Sequence, residues 1–248
     1  ILAAAKTLKL EIEEIASVGT LSIYPHRAST EMLGTIISHC SNGDIPVHAV
    51  HTSLSAISIN TDYQALNEAA RAMQQSFRLP ENHPPLTLPD RTDLQQCNKE
   101  AAASFSIIET AACYWEPVIK IYGSKLESGL CLTSVTFSPD DLQGLAEWLH
   151  VFRAEHPRFE QVKIARTAHC LCAHIISRNA PDTLPIRSKE IHRETDLLFF
   201  HGPHFQDRYG VIGATLDCLD RHNHEIIAAG CSGTSIYLIL PHEKGKET

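Results

Sequence analysis

No stretch of the 248-residue sequence holds the roughly 20 consecutive apolar residues that a membrane-spanning helix requires. The opening run ILAAAKTLKLEIEEI also lacks the long apolar core of a secretory signal. The expectation is a cytoplasmic protein without a membrane partner. Positive charge is in short supply as well: 21 Lys and Arg stand against 29 Asp and Glu, for a net charge of -8. Such a chain has no general attraction for phosphate backbones or anionic lipid, so no nucleic-acid partner is expected. Catalytic signatures are missing too. There is no phosphate-cradling glycine loop with its lysine and hydroxyl residue. Ser232 lies in Gly230-Cys231-Ser232-Gly233, which is not a Gly-x-Ser-x-Gly elbow, and no base accompanies it. The chain is read as non-enzymatic, with no cofactor.

The eight cysteines, at 40, 97, 113, 131, 170, 172, 218 and 231, sit mostly inside apolar runs, as reduced core cysteines do in a cytosolic protein. Cys170 and Cys172 are two apart on a predicted strand and so share a face, but no second pair at zinc-site spacing follows. Hydrophobic residues make up 43% and charged residues 20%, the proportions of a packed globular fold. The length allows one large domain or two to four small ones.

The residue pattern predicts a repeated unit. A strand at 20–24 precedes a helix at 30–39, where Ser29 is a cap, Glu31 favours the positive end, and Met32, Leu33, Ile36, Ile37 and Cys40 form one stripe. Strands at 46–50 and 56–60 and a helix at 63–77 follow. Prolines 80, 84, 85 and 89 mark a linker over 78–100. Beyond it, strands are expected at 105–108 and 117–122, with a turn at Gly123-Ser124. A second unit reads as a strand at 129–137, a helix announced by Ser138-Pro139-Asp140-Asp141, and strands at 159–165 and 171–176. After a break at 181–185, a third unit has a strand at 196–200, a helix at 209–219 and strands at 225–229 and 235–240. Val211, Ile212, Thr215, Leu216 and Leu219 repeat the first helix stripe at a constant offset of 179 residues, which also aligns Ser53 with Ser232 and Ile57 with Ile236. The fold class expected is α+β, with modules at 15–100, 101–190 and 191–248. The last is short of a helix and a strand, which residues 1–14 would supply.

These units resemble ACT domains, the ferredoxin-like amino-acid-sensing modules of metabolic enzymes. Asp207-Arg208-Tyr209-Gly210-Val211 is similar to the family's Asp-x-Pro-Gly-Val/Leu turn, with Tyr209 where proline is usual. The run 226–237 is similar to the second and third strands of the paired ACT regions of aspartate kinases, and 47–59 resembles the same element, whereas Arg27-Ala28-Ser29-Thr30 departs from the acidic, glycine-containing turn. The resemblance implies antiparallel sheets with helices on one face, modules paired side by side, and allosteric sensing of a small amino acid near the first turn and a module interface.

The ligand-binding residues so expected are Asp207, Arg208, Tyr209, Gly210, Val211, Gly230, Cys231 and Ser232. A helix start and Arg208 suit a carboxylate, and Asp207 suits an ammonium group. The alternative is a metal-binding protein or enzyme using His201, His204 and Asp207, whose side chains carry suitable donor atoms. Exposed edges of small sheets suggest a homodimer, and a separate metabolic enzyme is the further partner considered.

Overall fold

Ser29 starts the first helix as its sequence predicts. In the computed structural model, which describes residues 15, 17–77, 119–167, 169–180, 188–203, 205, 210–232 and 235–246, its hydroxyl accepts from the Met32 N–H at 3.2 Å. The helix, α1 (Thr30–Asn42), buries Leu33, Ile36, Ile37 and Cys40 completely. Its last turn closes with the Ile45 N–H on the Cys40 carbonyl (2.8 Å) and the Asp44 N–H on that of Ser41 (3.2 Å). This is a Schellman closure whose left-handed position, φ 50°, carries Asp44 instead of the usual glycine. Strand β1 (Val18–Ile23) precedes α1, and β2 (Ala49–Thr52), β3 (Ile57–Asp62) and, after a 3-10 turn at Tyr63–Ala65, α2 (Leu66–Ser76) follow it. Alternating burial along β3 turns Ile57, Ile59 and Thr61 inward, and Leu66, Ala69, Ala70 and Met73 are the buried positions of α2.

The second set begins with β4 (Gly123–Phe137). The strand expected at 117–122 is absent over its described part, residues 119–122, and Gly123-Ser124 opens β4 instead of forming a turn. The Ser138 hydroxyl then accepts from the Asp140 N–H at 3.3 Å, a single 3-10 turn spans Pro139–Asp141, and α3 (Leu142–Phe152) leads to β5 (Gln161–Arg166) and β6 (Leu171–Ser177). The third set is β7 (Ser188–His201), α4 (Val211–Arg221), β8 (Ala228–Ser232) and β9 (Ser235–Pro241). Helix α4 ends as α1 does: the His224 N–H reaches the Leu219 carbonyl (3.0 Å) and the Asn223 N–H that of Asp220 (2.9 Å), with Asn223 at φ 55°. Each of these four residues stands 179 places after its counterpart Ile45, Cys40, Asp44 or Ser41. The repeat therefore extends to individual hydrogen bonds. Residues 1–14, 78–100 and 105–108 lie outside the described part, and with them the expected completing segment, linker and strand.

In all three sets the third strand lies between the first and the second, as shown by the orders β1-β3-β2, β4-β6-β5 and β7-β9-β8. The fold is α+β, built of ferredoxin-like β-α-β-β sets on open antiparallel sheets. The described residues divide into two compact units, one within 1–78 and 132–191 and the other within 79–131 and 192–248.

The first unit joins two sets through β2 and β5, antiparallel with Ala49 opposite Ala165, Val50 opposite Ile164 and His51 opposite Lys163. The strand order is β1-β3-β2-β5-β6-β4, and one apolar cluster runs through α1, α2, α3 and the inward faces of the strands. Helices α1 and α3 pack together at Gly34, where an added Cβ would stand 3.3 Å from the Leu149 Cβ. A register centred on Val50 and Ile164 relates the sets by a local twofold, which exchanges Thr52 with Arg166 and their partners across the ladder, Ile57 with Leu171. In the second unit β9 lies between β7 and β8, and Phe200, Phe205, Val211, Leu219, Ile236, Leu238 and Leu240 form a separate core.

Candidate functional site

Of the eight residues expected to hold a ligand, Asp207, Arg208 and Tyr209 lie outside the described residues, as do His204 and the side chain of Ser232. Gly210 stands immediately before α4 at φ 82°, a left-handed conformation that suits glycine, and the Ala214 N–H bonds its carbonyl at 2.9 Å. Val211 is buried in the second unit's core. Gly230 pairs with Tyr237, whose phenol covers it: a Cβ at 230 would lie 2.4 Å from the hydroxyl oxygen. Burial, with a smaller contribution from Cys231, pushes the Tyr237 phenol up to about 12, so it stays protonated. Among the described residues no three His, Cys, Asp or Glu side chains are grouped to hold a metal ion.

A cavity of about 300 Å³ lies in the first unit, where the end of α1 meets the turn before α3. Cys40, Ile45, Val47, Leu142 and Leu171 give it a buried apolar floor, and Asp44, Asp140 and Arg166 give it an exposed charged mouth. The local sequence explains each placement. The Schellman closure delivers Asp44, the Ser138 cap holds the turn bearing Asp140, and Arg166 terminates β5 with its N–H on the His48 carbonyl at 2.8 Å. Burial pushes the Cys40 thiol up to about 12, which leaves it an inert apolar surface. An arginine and two aspartates at the mouth of an apolar floor suit a small zwitterion, whose carboxylate Arg166 could take and whose ammonium group the aspartates could take.

Sequence reading missed this cavity. Ser138-Pro139-Asp140-Asp141 carried a signal, but it read as a helix start, and nothing local ties Asp44 or Arg166 to it.

The position related to the cavity by the local twofold is filled. There the turn from β1 to α1 passes through a cis Tyr24-Pro25 bond, and the His26 ring lies 3% exposed, stacked on Phe159 with ring centres 5.4 Å apart. Its Nδ1 accepts from the Ala28 N–H at 2.6 Å, so the proton sits on Nε2, which donates to the Ser53 carbonyl at 3.0 Å. Burial lowers the pKa of this ring, with a smaller opposing effect from the Ser53 carbonyl. The start of α1 is closed as well, since the Thr30 N–H bonds the Pro157 carbonyl (3.1 Å) and the Thr30 hydroxyl that of His156 (2.8 Å).

No family model matches the chain, and no curated protein matches it significantly. Solved structures do. The aspartate kinase of Synechocystis superposes with a TM-score of 0.68 at 12% identity, over 99% of this chain and 42% of that one. The likeness is one of fold. The chain thus spans less than half the length of that kinase. The aspartate kinase of Clostridium acetobutylicum (TM-score 0.44, 12% identity) matches over 54% of this chain and 35% of its own. The regulatory subunit of the Thermus thermophilus aspartate kinase (0.41, 14%) matches over 51% and 92%.

Proposed function

We propose that this chain is an amino-acid-sensing regulatory protein of ACT modules, acting through ligand-dependent packing or assembly and not through chemistry of its own. The modules are those at 15–100, 101–190 and 191–248, the last completed by residues 1–14. The observation that carries the reading is the cavity in the first unit, whose lining includes Arg166, Asp44 and Asp140 around a volume suited to a small amino acid. The fold likeness to an aspartate kinase supports it. A second site of the same kind is proposed at the turn Asp207–Val211 with Gly230, Cys231 and Ser232, where Arg208 would take the carboxylate. Regulation requires the ligand to bind two arrangements of modules or subunits with different affinity, because equal affinity shifts nothing. The responding assembly is a homodimer or a complex with a separate metabolic enzyme.

Calorimetry of the purified protein against the common amino acids, followed by sedimentation of any hit, tests this reading. Arg166→Ala is expected to weaken binding at the cavity by about 1 to 3 kcal/mol, and Arg166→Lys to restore part of it, because an ammonium group lacks the planar paired donors. Arg208→Ala reports on the second site alone. No binding at millimolar ligand overturns the sensing function, and binding that is indifferent to both arginines overturns both sites.

A further inference from the structure

The first unit holds two copies of one arrangement, one with an open cavity and the other with a buried side chain in the corresponding place. The twofold of the β2–β5 joint carries Arg166 and Leu171 of the cavity onto Thr52 and Ile57. It also carries the turn before α3 onto the turn before α1. In the first place there is open volume, and in the second there is an imidazole.

That imidazole is held as a bound ligand would be. Both nitrogens are bonded, one to the Ala28 N–H and one to the Ser53 carbonyl, and the ring face lies on Phe159. The backbone wraps around it. The His26 N–H bonds the Ser55 carbonyl, the Ser29 N–H bonds the His26 carbonyl, and the Phe159 N–H bonds the Ala28 carbonyl, at 3.0, 3.0 and 3.1 Å. Arg27 and Ala28 both take left-handed conformations, at φ 51° and 55°, to close the turn. Two successive non-glycine residues in that region are strained, and such strain persists only where surrounding bonds over-determine it. Here the turn is held by three backbone bonds and by the two that end on the ring itself.

We propose that His26 is a built-in occupant of the second half of a duplicated ligand site, and that removing the ring opens a pocket for a small planar nitrogen base such as imidazole. The first unit accordingly takes one amino acid and not two. That stoichiometry rests on the function proposed above, whereas the imidazole pocket does not.

The test is His26→Gly titrated with imidazole and followed by amide NMR. Saturable 1:1 binding at millimolar imidazole is expected, with shifts at residues 28 and 53–56 and a recovered melting temperature, all absent from the wild type. A folded variant that does not bind, or that binds elsewhere, overturns the proposal. Should His26→Gly fail to fold, nitrogen NMR of the wild-type ring decides. One Nε2–H tautomer that is unchanged when an amino acid saturates the cavity supports the occupant, and a ring that leaves its site or changes tautomer on saturation overturns it. In the double variant with Arg166→Ala, imidazole should still bind while amino-acid binding at the cavity is lost. If imidazole binds but the wild type takes no amino acid, the occupant stands and the sensing function falls.

Discussion

The hydroxyl of Thr52 both accepts from the Val162 N–H at 2.9 Å and donates to the Val162 carbonyl at 3.2 Å, so that one side chain bonds both backbone groups of its neighbour across the joint between β2 and β5. Gln161 adds a bond from its amide nitrogen to the Thr52 carbonyl at 2.7 Å, and both side chains are buried. At the related end of the joint the Arg166 N–H bonds the His48 carbonyl directly.

Replacing Thr52 by valine keeps the shape and strands two buried backbone groups of Val162. The cost is the desolvation of groups left unpaired, about 1 to 3 kcal/mol. Urea denaturation should show the loss, and a change within error would mean that water takes over the bonds.

Asp44→Gly should act in opposite directions on stability and on binding. Glycine relieves the left-handed strain at φ 50° while enlarging the freedom of the unfolded chain, for a net gain of a few tenths to about 1 kcal/mol. Removing the carboxylate from the cavity mouth should weaken amino-acid binding. A variant that is more stable and binds unchanged would remove Asp44 from the site.

Gly230→Ala should destabilise the second unit, because the new methyl falls inside contact distance of the buried Tyr237 ring. Overpacking of this kind costs about 1 to 3 kcal/mol. Denaturation by guanidinium, followed by tyrosine fluorescence, measures it.

The carboxylate of Asp196 is fully buried and accepts from the Gly245 N–H at 3.0 Å. Asp196→Ala should therefore release the segment after β9, and hydrogen exchange at Gly245 should quicken by at least tenfold. Unchanged protection would show that the segment is held by other contacts.

Burial depresses the pKa of His26 from its ordinary 6.5, and burial together with the charge of Lys163 depresses that of His51. Between the lowered pKa and 6.5 the unfolded chain binds more protons than the folded one, so stability rises with pH in that window. It is at full value above about 6.5 and declines as pH falls toward the lowered values. Denaturation midpoints from pH 8 to pH 5 should follow this course, and His26→Gln should flatten it.

Local pattern revealed much of the fold. The stripe of α1 and the Ser29 and Ser138 caps act within a few residues of themselves, the repeat is two such local patterns matched 179 residues apart, and the structure shows each of them. Strand ends were less legible. The expected strand at 46–50 begins three residues later, at Ala49, because its limits are set by pairing with β3 and β5. Phe159, expected inside a strand, instead lies before β5, with its N–H on Ala28 and its ring against His26. The cavity was least legible. Asp44, Asp140 and Arg166 lie far apart in sequence and are gathered only when two modules join, while the lone His26 reads as an ordinary loop residue until its two nitrogen partners are known.

The β2–β5 joint has a consequence for how any ligand in the cavity would respond to dilution. Two such modules on separate chains would meet only above some protein concentration, and a site made between them would fade as they dissociated. Tethering replaces that bimolecular step with an intramolecular one at a high effective concentration. The cavity should therefore be present at nanomolar as at micromolar protein, so that any change of its affinity with protein concentration reports the linked assembly of whole subunits and not the making of the site.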